Sequence, residues 1–422
     1  MVYIDQKRSS SAVYRYLPFI ATIWFFVIIE SYLVWGFIAP LMHSIPSILM
    51  ILGTFMIKKE YSETKKHICI FVSIYIMWVL FTLCDDIPQI VRRLCDFSPI
   101  LFFIFWPKDL IFKTYIIIRK IVIFYAIGSA IITILILLDL NSHLPYFILP
   151  PREALHKNGG IVYYVYGLFV TLCYPVSGVK ARACGMLQEP GHFAVVLGSI
   201  YMIDRFRKVK ENLWIVICGI LTFSSVFLFT ILFTEIKYVF SKKNVKKVLL
   251  VMSLVPVLLF FIFISLPSQI QEQIEYLIYG RNLEQVVEAF QEASSLNDAL
   301  DERASDYSLH TYKKMSTFEY IVGGGNIEPG ECLSDYRGMI VYMGVVGMGL
   351  SILAYLMILL KIPLKIKLSL ICFYFLIIVH RSFMLFEPYI YLYAFFILML
   401  ADFDNQKLLL RYDKNNLKVV KK

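Results

Sequence analysis

The stretch Arg182–Gly198, RACGMLQEPGHFAVVLG, carries the most informative chemistry in the 422-residue chain. Gly185 follows the arginine by three residues, and Glu189-Pro190-Gly191 then leads straight into an apolar run. Pro190 sets the chain direction at a first helical position, and Gly191 allows a tight turn or a close backbone approach. A carboxylate at the N-terminal edge of a helix is stabilised by the helix dipole, which suits Glu189 to the entry of that helix. A second group of chemical residues runs from Arg303 through His310, Gly323-Gly324-Gly325 and Ser334-Asp335-Tyr336-Arg337 to a helix with Gly344 and Gly347. The glycine run lacks the spacing and the Lys-Ser/Thr of a phosphate-binding loop. A third group is His380-Arg381 with Glu387-Pro388. Each group also has a plain structural reading: a capped helix entry, a surface turn and a membrane-interface marker.

The elements that must hold these residues are apolar. Hydrophobic residues make up 59% of the chain and charged residues only 17%, against roughly 25% charged in an ordinary soluble domain. The apolar residues come in blocks that span or nearly span a bilayer. This excludes a soluble enzyme, a disordered chain and a fibrous protein. The formal net charge of +10 comes from short basic clusters between apolar blocks, a pattern that points to membrane loops and away from nucleic acid. The eight cysteines include no C-x-x-C pair, and no metal, ATP or nicotinamide signature is present, so no cofactor is expected. Cys184 and Cys332 both fall in loops placed outside the cytoplasm, which leaves a disulfide between them open.

The expected fold is an all-α polytopic membrane protein with about twelve transmembrane helices. The candidate spans are 17–41, 43–57, 68–84, 97–107, 117–140, 192–204, 213–224, 226–240, 247–266, 337–360, 366–380 and 387–401. The first is too long for a signal-peptide core and is read as a membrane helix. Alternation from a cytoplasmic N-terminus places 29 of the 41 Lys and Arg residues on the cytoplasmic side, which puts both termini there, including the basic tail 402–422. Two larger segments, 141–191 and 267–336, then lie on the far side of the membrane. The second should contain structure of its own. Leu283, Val286, Val287 and Phe290 mark an amphipathic helix within it. Two alternatives stay open: 161–176 as a further span, and 213–240 as one tilted helix. Making both changes together leaves the charge balance almost unaltered.

The ordered set of motifs resembles the bacterial O-antigen and capsule polymerases of the Wzy type, which are similar to the O-antigen ligases. The resemblance rests on RxxGxxxEPGxxA from Arg182 to Ala194 and on the turn Leu221-Thr222-Phe223-Ser224-Ser225. It rests also on an outer loop with an arginine, Gly323-Gly324-Gly325, Ser334 and Tyr336 before a helix with Gly344 and Gly347. As architecture it covers most of the chain; as motif it covers some 40 residues. Two positions depart from the pattern: Ser225, where many relatives have an arginine, and Asp335, near where the ligases carry a histidine.

The resemblance implies a multi-pass protein of the bacterial inner membrane, with the two larger segments in the periplasm. The implied activity joins polyprenyl-pyrophosphate-linked oligosaccharides into O-antigen, capsule or exopolysaccharide. A chain-length regulator and a flippase of the same pathway are implied partners, with membrane lipid around the chain. Arginine is permanently charged and grips phosphate bidentately. On this reading Arg182 and Arg303 form the pyrophosphate clamp, Arg337 or Arg381 assists, and Tyr336 stacks on sugar. Tyr163, Tyr164 and Tyr166 are further stacking candidates, or members of an interfacial aromatic belt. The acceptor hydroxyl needs a base, for which Glu189 is the first choice, followed by Asp335 and His310. A glycan ligase, a lipid-linked glycan flippase and a membrane scaffold are the alternatives.

Overall fold

The computed structural model describes residues 12–29, 44–57, 59, 61–84, 86–149, 162–174, 179–187, 189–207, 212–239, 306–324, 336–360 and 362–381, with 264, 271 and 396. The amphipathic segment 282–293, the span 247–266 apart from residue 264, and the C-terminal tail lie outside these residues. Among the described residues the protein is mostly helical, and three helices there are long and apolar enough to cross a membrane: Glu63–Leu83, Lys108–Leu137 and Tyr336–Ile358.

The first five described helices are α1 (Ala12–Ile28), α2 (Ser44–Phe55), α3 (Glu63–Leu83), α4 (Ile87–Phe103) and α5 (Lys108–Leu137). Ser62 caps α3 by accepting from the Lys65 amide, and Asp86 caps α4 by accepting from that of Gln89. Such caps satisfy amides that have no partner within the helix. Helix α4 therefore begins ten residues before the span expected at 97–107. With 30 residues, α5 extends about 45 Å at 1.5 Å per residue, more than a bilayer core needs. The Lys65 ammonium donates to the Trp106 carbonyl at 3.3 Å, so the start of α3 and the start of α5 share one end of the bundle.

The opposite end of α5 meets a four-stranded antiparallel sheet. This corrects the all-α expectation. Strands β1 (Phe147–Leu149), β2 (Val162–Tyr166), β3 (Phe169–Tyr174) and β4 (Val179–Gly185) pair in chain order. Residues 162–166 and 169–174 form a hairpin, not a further helical span. Its turn is Gly167-Leu168, with Gly167 at φ 63°, as tight hairpin turns require. The sheet docks where Phe169 lies against Gly128 of α5, a contact that any side chain at 128 would block. Phe124 and Tyr125 flank the same ring, with centroids 5.5 and 5.8 Å away.

From the sheet the chain enters α6 (Pro190–Phe206), followed by α7 (Leu213–Leu221) and α8 (Ser225–Val239). The interruption between α7 and α8 falls on the polar turn at Thr222–Ser225, so 213–240 is two short helices. Further along come α9 (Asp306–Lys314), α10 (Thr317–Val322), α11 (Tyr336–Ile358) and α12 (Leu364–Arg381). Helix α11 is broken at Gly344 (φ 65°, ψ 176°). The break frees the Met343 carbonyl, which accepts from the Trp78 indole of α3 at 2.9 Å. The Gly324 amide, just after α10, donates to Val341 at 2.8 Å. Trp78 lies near the far end of α3 from Lys65. The start of α11, with α9 and α10 against it, is therefore at the same end of the bundle as the sheet.

Candidate functional site at the sheet end

Two groups of polar side chains gather at the sheet end. The first is built on β4. Arg182 is 8% exposed. Its Nε donates to the Thr222 carbonyl at 3.0 Å and its Nη2 to the Phe223 carbonyl at 2.9 Å. The last carbonyls of a helix have no partner within it, and the arginine supplies one. Phe223 sits at φ 47°, the left-handed geometry in which α7 stops. The Thr222 hydroxyl turns back onto Gly219, and Ser224 is buried beside it. Two stretches that the resemblance singles out, forty residues apart, are thus in direct contact.

Gly185 explains its place in the motif. It lies at φ 66°, and the Phe193 ring of α6 packs against it so closely that a Cβ would collide. Glu189 is the N-cap residue of α6 in extended conformation, with no side-chain cap hydrogen bond. Its carboxylate is 29% exposed and lies 3.8 Å from Nε2 of His192. His192 was not among the sequence candidates. The available signal was its position one helical turn after Glu189, where i and i+3 side chains meet.

The second group is built on α9–α11. Arg337 is 2% exposed, and its guanidinium lies 5.9 Å from the centre of the Tyr312 ring. Tyr312 and Tyr320 are 6.3 Å apart and tilted by 55°. Burial, a hydrogen bond to Tyr320 and the nearby Tyr336 raise the Tyr312 phenol to about 12. Tyr320 follows a capping box: Ser316 accepts from the Glu319 amide, and Glu319 accepts from that of Ser316. Those bonds hold the Glu319 carboxylate below its usual range. Lys313 and Lys314 close the last turn of α9. Tyr336 is half-buried at the start of α11, and His310 is exposed on α9.

The other sequence candidates are not brought into either group by the described residues. Arg303 and Asp335 lie outside those residues, and Arg381 ends α12. Cys184 is a buried thiol, and Cys332 lies outside the described residues. Among the described residues no group of three or more His, Cys, Asp or Glu side chains is placed to hold a metal ion.

Sequence reasoning also missed a charged layer at the opposite end of the bundle. Asp204 of α6 is 1% exposed. It accepts from Tyr115 at 2.8 Å and from Nε of Arg119 at 2.7 and 2.9 Å, both residues of α5. Glu235 of α8 accepts from Arg205 at 2.6 and 2.7 Å and from Tyr201 at 2.9 Å. Arg207 lies over the Phe112 ring at 4.6 Å. Helix α6 therefore carries the Glu189–His192 pair at one end and is tied to two neighbours at the other. No family model, no curated protein and no solved structure matches the chain.

Proposed function

We propose that the chain is a membrane glycosyltransferase that joins lipid-linked oligosaccharide repeat units at the sheet end of the bundle, the periplasmic face of a bacterial inner membrane. One observation carries the reading. Arg182 of the RxxGxxxEPG stretch is hydrogen-bonded to the Thr222–Ser225 turn, so two motifs joined only by resemblance occupy one place. The reaction needs no bound cofactor. An acceptor sugar hydroxyl attacks the anomeric carbon of the donor, the carbon–oxygen bond to the diphosphate breaks, and the polyprenyl diphosphate leaves with that electron pair. The acceptor proton passes to a base, for which Glu189 is half-exposed at the entry to α6 with His192 beside it. Charge developing on the departing diphosphate requires fixed cationic donors, usually a large contribution to such catalysis. Arg337 among its tyrosines and Lys313 with Lys314 are the described cations on α9–α11, and Arg303 and Arg381 complete the proposed set.

The breaks at Thr222–Ser225 and at Gly344 favour one rival, a lipid-linked glycan transporter, because discontinuous helices recur at transporter binding sites. A deletion strain separates the readings. With a polymerase missing, surface glycan is reduced to single repeat units. Long polymer accumulating on the lipid carrier would indicate a ligase, loss of surface glycan with single repeat units retained on the carrier a transporter, and an unchanged ladder would remove glycan chemistry from the reading.

A further inference from the structure

We infer that Arg182 is a positioning residue that braces the α7–α8 turn, and that it is not the diphosphate clamp. The activity part of this inference rests on the polymerase reading; the structural part does not. A guanidinium grips a phosphate through a pair of parallel N–H groups along one edge. In Arg182 the Nε–Nη2 edge is taken, donating to main-chain carbonyls at 3.0 and 2.9 Å, so a phosphate would have at most the Nη1–Nη2 end to meet. Burial does not tell Arg182 from Arg337, at 8% against 2% exposed; what counts against a clamp is that the Nε–Nη2 edge is already occupied. Its acceptors are the carbonyls left over where α7 stops, and at Phe223 the chain turns through φ 47°. A buried carbonyl without a partner is costly, and two of them adjoin a strained residue here. Arg182 resolves both at once from a strand that is itself fixed on α5.

The brace has a consequence for the proposed chemistry. Arg182 is seven residues before Glu189, and Gly185 between them is pinned under Phe193. The turn and the entry to α6 are thereby fixed relative to each other. Loss of the brace frees the turn to shift relative to the entry to α6 and leaves the diphosphate-binding cations of α9–α11 untouched.

The test compares Arg182→Ala, Arg182→Gln and Arg182→Lys in the full-length protein in nanodiscs. Hydrogen exchange is followed at the amides of Thr222, Phe223 and Phe227, all of which are hydrogen-bonded around the turn. Exchange should rise roughly tenfold or more in Arg182→Ala, and by less in Arg182→Gln, because glutamine keeps a neutral donor. The substrate probe is the lipid-linked repeat unit isolated from a deletion strain. With it, kcat should fall in the order Lys and Gln, then Ala, while KM stays within about threefold. A clamp requires charge, so a Gln variant as inactive as Ala beside an active Lys variant, with a large rise in KM, would overturn the inference. Unchanged exchange in Arg182→Ala would overturn it independently. If the wild-type protein fails to elongate the probe, the polymerase reading falls, and the exchange measurement still decides the brace.

Discussion

Asp204 shows how far a single side chain can be read from its surroundings. Its carboxylate is buried between α5 and α6 and takes Arg119 and Tyr115 together. Removing one partner of a buried ion pair leaves an uncompensated charge, which costs about 3–5 kcal/mol. Asp204→Asn is therefore expected to lower thermal stability by that amount in detergent, and Tyr115→Phe by about 1 kcal/mol. Adding Arg119→Met to Asp204→Asn should recover part of the loss, as seen by tryptophan fluorescence during heating. Asp204→Asn unfolding at the wild-type temperature would show that the pair contributes nothing. None of this was legible in the sequence, where Tyr115 and Asp204 are 89 residues apart, the first just before the span expected at 117–140 and the second closing the one at 192–204. Arg182 was legible as an unusual residue, but its partners were not, because they are main-chain carbonyls and every residue supplies one. Glu189 was read from local grammar, the Glu-Pro-Gly entry to a helix, and that grammar is what the structure follows.

At the level of the element, glycine and the helix breaks decide the architecture. A Cβ on Gly344 would collide with the Ile321 carbonyl, and its φ of 65° is one that side chains rarely adopt. Gly344→Ala should cost about 1–3 kcal/mol from backbone strain alone and release α10 from α11. Trp78→Phe keeps an aromatic ring in the place that lies against Gly347, but strips the donor from the Met343 carbonyl, a loss of about 1–3 kcal/mol. In both variants the Gly324 amide, held by Val341, should exchange faster than in the wild type. Protection there that survives both changes would mean that the outer arm is held elsewhere. The sequence placed Gly344 and Gly347 in a helix but did not show that the helix breaks at the first of them. An apolar run reads the same whether or not its hydrogen bonds are continuous. The polar pair Ser224-Ser225 did mark the α7–α8 interruption. The sheet was missed for a different reason. Val162–Tyr166 and Phe169–Tyr174 are apolar or aromatic at nearly every position, so although burial alternates from Val162 to Val165, the alternation of polarity that betrays a half-exposed strand is weak.

Among the described residues the two ends of the bundle differ in charge. Lys65, Lys66, Lys108, Lys113, Arg119, Arg205 and Arg207 lie on elements that meet at the end opposite the sheet, as the Lys65–Trp106 and Arg119–Asp204 contacts require. The sheet, the Glu189–His192 pair, Arg337 and the three tyrosines lie at the other. Membrane proteins keep their excess of basic residues on the cytoplasmic side, so the sheet end should face away from the cytoplasm. Single cysteines introduced at Lys313 and Lys66 test this against the wild-type background, since Lys313 is exposed on α9 and the Lys66 side chain is 54% exposed at the start of α3. An impermeant maleimide should label Lys313→Cys on intact spheroplasts and Lys66→Cys only after permeabilisation. Reversed labelling would place the Glu189 and Arg337 groups in the cytoplasm. There a lipid-linked repeat unit awaiting export would meet them before it was flipped, and polymerisation at the outer face would be impossible. Labelling of the expected hand would put both polar groups on the face at which the proposed lipid-linked substrate, once flipped, would present its diphosphate.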